Sequence, residues 1–311
     1  MYFPYLRGKQ FELLALRELA RLPLVAEKVS PIIEPLKVDI RAIVTMVRTL
    51  PVSIRIQLII NPEHGDIRGG NRVIADLVRQ LQAAGYTNVL PAFIISANRD
   101  LALLQTILDE YGFGASGYTL LHLNQIAGLA DLSALVARTN CIYNIIGVSH
   151  IIALRRSFPR PTLAFLADPF NRQQKNADYI HIDDENFSTD HLYYADEGFV
   201  GFGDYLTIGS AFIDGGRLPW AVVIHLTYEE EETGNVRIHH FVSDSNDDDS
   251  DTAGKFAEAL DKLIDFVNER HIESLAVTAF QDLHARGAYP GLGTIKKLSV
   301  MHHIELIQSL I

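Results

Sequence analysis

The sequence predicts an α/β fold: a (β/α)8 TIM-like barrel followed by a C-terminal β-hairpin and a helical appendage. Three observations predict it. Short apolar runs alternate with longer segments whose apolar residues recur every three or four positions. The runs number eight. They are continuously apolar, as strands covered on both faces are. An open doubly wound sheet would also alternate β and α. The count of eight over ~200 residues favours the closed barrel, and no GxGxxG turn follows an early run.

The elements follow in order. YFPYL (2–6) precedes a helical segment with Phe11, Leu14, Ala15 and Leu19 on one face. PIIEPLKV (31–38) precedes IRAIVTMVRTL, and SIRIQLII (53–60) precedes NRVIADLVRQLQAAG, where Gly85 is a helix stop. VLPAFII (89–95) precedes NRDLALLQTILDEYG, which glycine again ends. GYTLLHL (117–123) precedes ADLSALVAR, and CIYNIIGVS (141–149) precedes HIIALRRS. TLAFLA (162–167) and GFVGFG (198–203) complete the set, giving a barrel domain over 1–205. After Tyr205 the pattern changes, and residues 206–311 form a second region. Two β-rich runs flank EEETGN, a hairpin turn with Gly234 and Asn235. DSNDDDSD (244–251) reads as an exposed acidic loop. Thr252 is placed to cap AGKFAEALDKLIDFVNERH, and YPGLG turns into the amphipathic IKKLSVMHHIELIQSLI.

Composition narrows the function classes. The 311 residues carry 27 basic and 38 acidic side chains, a formal charge of −11. No bulk binding of duplex DNA is expected from such a chain. Cys141 is the single cysteine, which excludes an intramolecular disulfide and a multi-cysteine zinc site. Its apolar surroundings favour an inert buried thiol. Arg7, Lys9, Glu12, Arg17 and Glu18 interrupt the N-terminal apolar residues, unlike a signal peptide. No run reaches the ~20 apolar residues of a membrane helix. A cytoplasmic protein with no membrane partner is therefore expected.

Ligands of such barrels meet the C-terminal ends of the strands and the loops that follow. That rule selects Arg7 and Lys9, then Glu34 and Lys37, then Asn61, Glu63 and His64. Ser96 and Asn98, His122 and Asn124, Ser149 and His150 follow, and the set ends with Asp168, Asp204 and Tyr205. Glu34, Asp168 and Asp204 are the candidate catalytic carboxylates, for acid–base work. Arg7, Lys9, Lys37, Asn61, His122 and Tyr205 are the candidate ligand contacts, with Arg7 and Lys9 suited to phosphate or carboxylate. The plainer reading makes Glu34 the partner of Arg7 or Lys37 in a mouth salt bridge. NPEHGD, HIDD and HHFVSDSNDDD bring histidines near carboxylates, but none matches HExxH, and the acidic loop lacks the central glycine of an EF-hand. No metal ligand is assigned and the cofactor stays unknown, with a recruited divalent metal compatible with a hydrolase. The sequence has no GxSxG elbow and no Walker A loop.

YFPYLRGKQFELLAL, PIIEPLKV and GFGDY together resemble the beta protein family of bacteria and phages. The residues that carry the likeness are Tyr2, Pro4, Lys9, Glu12, Glu34, Gly203, Asp204 and Tyr205, spread over most of 1–242. The resemblance implies a barrel-like fold and supplies no reaction. It also implies a mobile-element or phage-conflict setting, and with it a partner protein or a nucleic-acid context.

Three functions compete at this stage. The first is a binding or accessory subunit whose barrel mouth recognises an anionic or nucleotide ligand or a partner protein. The second is a hydrolase of a phosphoester-type bond, with Glu34 or Asp204 as general base. The third is a structural oligomer.

Overall fold

The computed structural model describes residues 1–21, 28–68, 72–213, 215 and 219–311. The chain divides into two compact units, Met1–Ala167 with Tyr193–Asp204, and Asp168–Leu192 with Tyr205–Ile311.

The first unit is a closed, all-parallel barrel of eight strands. In chain order its elements are β1 (Tyr2–Leu6), α1 (Gln10–Leu19), β2 (Ile32–Ile33), α2 (Arg41–Thr49), β3 (Ile56–Ile59), α3 (Arg72–Ala83), β4 (Val89–Ile95), α4 (Asn98–Tyr111) and α5 (Phe113–Ser116). They continue through β5 (Tyr118–His122), α6 (Leu129–Ala137), β6 (Cys141–Gly147), α7 (Ile151–Leu154) and β7 (Leu163–Leu166). β8 (Asp184–Ser188) belongs to the other unit, and α8 (Asp190–Tyr193) leads back to β9 (Gly201–Asp204), which pairs with both β7 and β1. Each of the eight apolar runs holds one barrel strand. In α1 the buried stripe differs from expectation. Phe11 is exposed, while Leu13, Ala15, Leu16 and Leu19 are buried. Glu12 is on the buried side too, its carboxylate accepting from the Arg7 backbone N–H at 2.6 Å.

Strand parity decides what faces the lumen, since alternate side chains point to opposite faces. Phe3 meets Tyr143 ring to ring at 4.9 Å, and β1 and β6 are not neighbours, so both point inward. The register carries that face around the barrel through Ile32, Gln57, Ala92, Thr119, Ile145, Ala164 and Gly201. A polar layer, Thr119 to Gln57 to Ser30, is hydrogen-bonded within it. Gly201 and Gly203 leave room for Phe3. A Cβ at Gly203 would stand 2.3 Å from the Phe3 carbonyl oxygen, and one at Gly201 would stand 2.7 Å from the Phe3 ring.

The second unit holds a three-stranded antiparallel sheet in the order β10 (Val223–Glu229), β11 (Val236–Val242), β8. Helices α9 (Thr252–Glu269), α10 (Leu275–Arg286) and α11 (Leu292–Leu310) complete it. The hairpin turns through Gly234 at φ 71°. Residues 168–192, read from the sequence as barrel, join this unit because β8 pairs with β11. The α9 cap also differs: Asp251, not Thr252, is the N-cap, and its side chain accepts from the Gly254 N–H. The acidic loop is exposed, with Asp244 paired to Lys262 at 2.6 Å and the Asp248 carbonyl accepting from Lys255. Among the described residues no helix is long and apolar enough to cross a membrane.

Candidate functional site

Glu34 follows β2 with the parity of Ile32, so its side chain enters the lumen at the C-terminal mouth. It is fully buried, and both oxygens are engaged. Oε2 accepts from the Tyr5 hydroxyl at 2.9 Å. Oε1 accepts from the backbone N–H of Glu63 at 2.8 Å and of His64 at 3.2 Å, and lies 3.0 Å from His64 Nδ1. A carboxylate only accepts, so in this contact His64 Nδ1 is the donor. The loop that presents His64 is pinned by Gly65. Its φ is +77°, a Cβ there would stand 2.1 Å from the Leu36 carbonyl oxygen, and the next N–H, of Asp66, donates to that same oxygen at 2.7 Å. Only glycine permits this approach.

A cleft of about 600 Å³ opens beside the pair, over the C-terminal ends of β3 and β4. His64, with its side chain 32% exposed, lines it together with Arg68, Ser96, Arg99 and Leu103. Asn61 forms part of the wall. Its side chain bonds both the N–H and the carbonyl of Ile94 at 2.8 Å, continuing the β3–β4 pairing past the end of the strand. Asp100 also lines the cleft but is committed to the start of α4, accepting from the Ser96 and Ala97 N–H groups. Arg68 and Arg99 are the basic residues of the lining and Glu63 and Asp100 the acidic ones, with Arg99 Nε 3.8 Å from Asp100 Oδ1.

The other residues selected from the sequence are dispersed. Asp204 has the parity of Phe202, opposite to the lumen-facing Gly203. It accepts from the Tyr2 hydroxyl at 2.7 Å behind the sheet, and burial, with the Asp204 charge beside it, pushes the Tyr2 hydroxyl well above its ordinary pKa. His122 likewise points outward, its Nε2 at 3.0 Å from Asn144 Oδ1 and its ring against Phe158. Burial lowers its pKa to about 4, so it is neutral at pH 7. Arg7 is enclosed in the loop after β1, and Lys9 is the N-cap of α1. Burial raises the Glu12 pKa, against the opposing effect of the Arg7 and Lys9 backbone N–H groups. Lys37 is exposed. Asp168 and Tyr205 belong to the second unit. There Asp168 accepts from the Ser210 N–H at 3.1 Å, and the Tyr205 carbonyl accepts from Ile208 and Gly209. Cys141 is buried, and burial pushes its thiol up to about 12.

The second unit carries its own carboxylate–imidazole pairs, one on each face of β8 and β11. On one face Asp184 holds His239 Nδ1 at 3.2 Å, accepts from Tyr228 at 2.7 Å and pairs with Arg237. On the other, Glu185 lies 3.2 Å from His240 Nε2, and His240 Nδ1 is 2.7 Å from His225 Nδ1. His302 and His303 are buried on α11. They bond the Thr227 carbonyl and hydroxyl at 2.7 and 2.9 Å, so adjacent histidines there serve packing. Among the described residues no group of three or more His, Cys, Asp or Glu is placed to hold a metal ion.

Comparison with protein-family models and with curated protein sequences finds no match for the chain.

The sequence rule reached loops that line the cleft but not the facing of the side chains within them. His64 stood among the strand-end residues, yet its link to Glu34 depends on a loop-to-loop approach that no local pattern announces. The glycine spacing of GFVGFG was the available signal for parity on β9, because the glycines take the crowded inward positions.

Proposed function

We propose that the barrel is a binding module that recognises an anionic group, phosphate or carboxylate, at its C-terminal mouth, in a cytoplasmic setting. The observation that carries this reading is the cleft over β3 and β4, which Arg68, Arg99 and His64 help to line. Guanidinium groups favour planar, doubly hydrogen-bonded contact with such anions. This moves the proposed anion from the enclosed Arg7 to the cleft cations. The resemblance to the beta protein family adds a mobile-element or phage-conflict context and a partner protein, both as part of this proposal. Calorimetric titration with inorganic phosphate and with a nucleoside monophosphate tests it. Saturable binding that Arg68→Ala and Arg99→Ala each weaken about tenfold is expected, equivalent to ~1.4 kcal/mol. Absence of binding, or equal binding by the double variant, overturns it. Hydrolysis of a phosphoester is the second reading, and the pairing of buried Glu34 with half-exposed His64 favours it.

A further inference from the structure

We propose that residues 168–182 form a strap over one face of the second unit's sheet, and that acid releases it by splitting the His225–His240 pair beneath. The two histidines lie directly opposite each other on β10 and β11. Their Nδ1 atoms are 2.7 Å apart. Two nitrogens at that distance hold one hydrogen between them and have no room for two. The second nitrogen of His240 is occupied as well, with Nε2 3.2 Å from Glu185 Oε1. A carboxylate only accepts, so Nε2 is the donor in that contact. The pair therefore stays intact while at most one ring is an imidazolium. When both are, two N–H groups point at each other and the rings must part.

The strap lies on these rings. Phe170 stands 5.0 Å from His225 and 6.4 Å from His240, and Tyr179 stands 4.8 and 4.6 Å from the same two, centroid to centroid. Both aromatic side chains are buried. The segment is loop with a 3₁₀ turn, Asn176–His181, and it is not paired into the sheet. Asn171 ties it to Glu185 and Asn176 ties it to the Ala221 carbonyl, each at 2.9 Å. The other face of β8 holds against acid. There Asp184 pairs with Arg237, and against the cost of burial its hydrogen bonds from Tyr228, Arg237 and His239 keep the carboxyl below the usual carboxylate range. Acid thus loosens one face of the sheet and spares the other.

Burial lowers the pKa of both rings; the His240 and Lys296 charges act the same way on His225, while Glu185 opposes the shift at His240. The closed pair is neutral at pH 7. Released imidazoles titrate near 6.5, so below about that pH the open form binds more protons and gains on the closed one. The charged and titratable groups around the pair are Asp184 and Glu185 on β8, His239 on β11, Lys296 on α11, and Tyr179 on the strap with Arg172 beside it.

Hydrogen exchange of the full chain, read by mass spectrometry and corrected for the intrinsic effect of pH, tests the strap. Between pH 6 and pH 5 the opening constant of peptides from 168–182 should rise more than tenfold, because release takes up more than one proton. β8 and β11 should keep their protection over the same range. His225→Phe leaves a ring under the strap but removes the facing nitrogens, and should cut the rise to tenfold or less. The same reduction is expected of His225→Asn, which guards against misfolding of the Phe variant. The proposal falls if strap exchange is independent of pH, if the rise is unchanged in both variants, or if the strap opens only together with β10 and β11.

Discussion

The two units use the same chemical pair in opposite senses. At the barrel mouth the carboxylate is buried and the imidazole reaches out: the Glu34 side chain is 1% exposed and that of His64 32%. On the second sheet the order is reversed for Glu185 and His240, whose side chains are 21% and 0% exposed. At the mouth the carboxylate is buried under several donors and its histidine stays half-exposed. An imidazole sealed inside a sheet becomes a packing element, and a liability whenever it must take up a proton.

The largest expected effect breaks the scaffold on one side of this comparison. Gly203→Val should destabilise the barrel by about 3 kcal/mol or more, because its Cβ would meet the Phe3 carbonyl at 2.3 Å. Urea unfolding followed by circular dichroism checks it, and an unchanged midpoint would remove the parity argument.

Acid should separate the units next. Burial lowers the pKa values of His225, His240, His191 and His302 in the second unit, that of His302 to about 4, and that of His122 in the barrel. Unfolded histidine titrates near 6.5, so between about 6.5 and about 4 the unfolded chain binds more protons and stability falls as pH falls. For His302 the full loss is roughly 3 kcal/mol. The raised pKa values of Glu305 and Glu12 act in the opposite direction, one in each unit. Hydrogen exchange read by mass spectrometry at pH 4.5 should show peptides of the second unit opening first. Barrel peptides opening first would reverse the comparison.

A smaller effect sharpens it. Asp184→Ala leaves Arg237, Tyr228 and His239 without their shared acceptor, and should cost about 2–3 kcal/mol in thermal or urea unfolding. The smallest concerns the imidazoles themselves. His240→Gln should cost about 1–2 kcal/mol, whereas His64→Gln should stay within ~0.5 kcal/mol of the native chain. Equal costs would mean that the mouth histidine is as structural as the sheet histidine.

The barrel was legible because its strands are apolar on both faces, and that same property hid which residues look inward. Continuous runs such as VLPAFII carry no period-two signal, so Glu34, Asp204 and His122 looked equivalent until the register separated them. β8 was illegible for the opposite reason. DENFS is polar, and its pairing partner lies some fifty residues away, so nothing local marks it as a strand. Arg68 and Arg99 stand on the cleft through the loop after β3 and the start of α4, a juxtaposition that spacing alone does not announce.

The place of β8 in the chain sets an order of events during synthesis. Its partner β11 is made later than β9, the strand that closes the barrel. The emerging chain can therefore complete the barrel while β8 still waits for its neighbour. An unpaired apolar strand at that stage would invite pairing with other nascent chains. With Asp184, Glu185 and Asn186 at its head, β8 is poorly suited to such contacts. The carboxylates that later lock onto histidines thus also keep the waiting strand in solution.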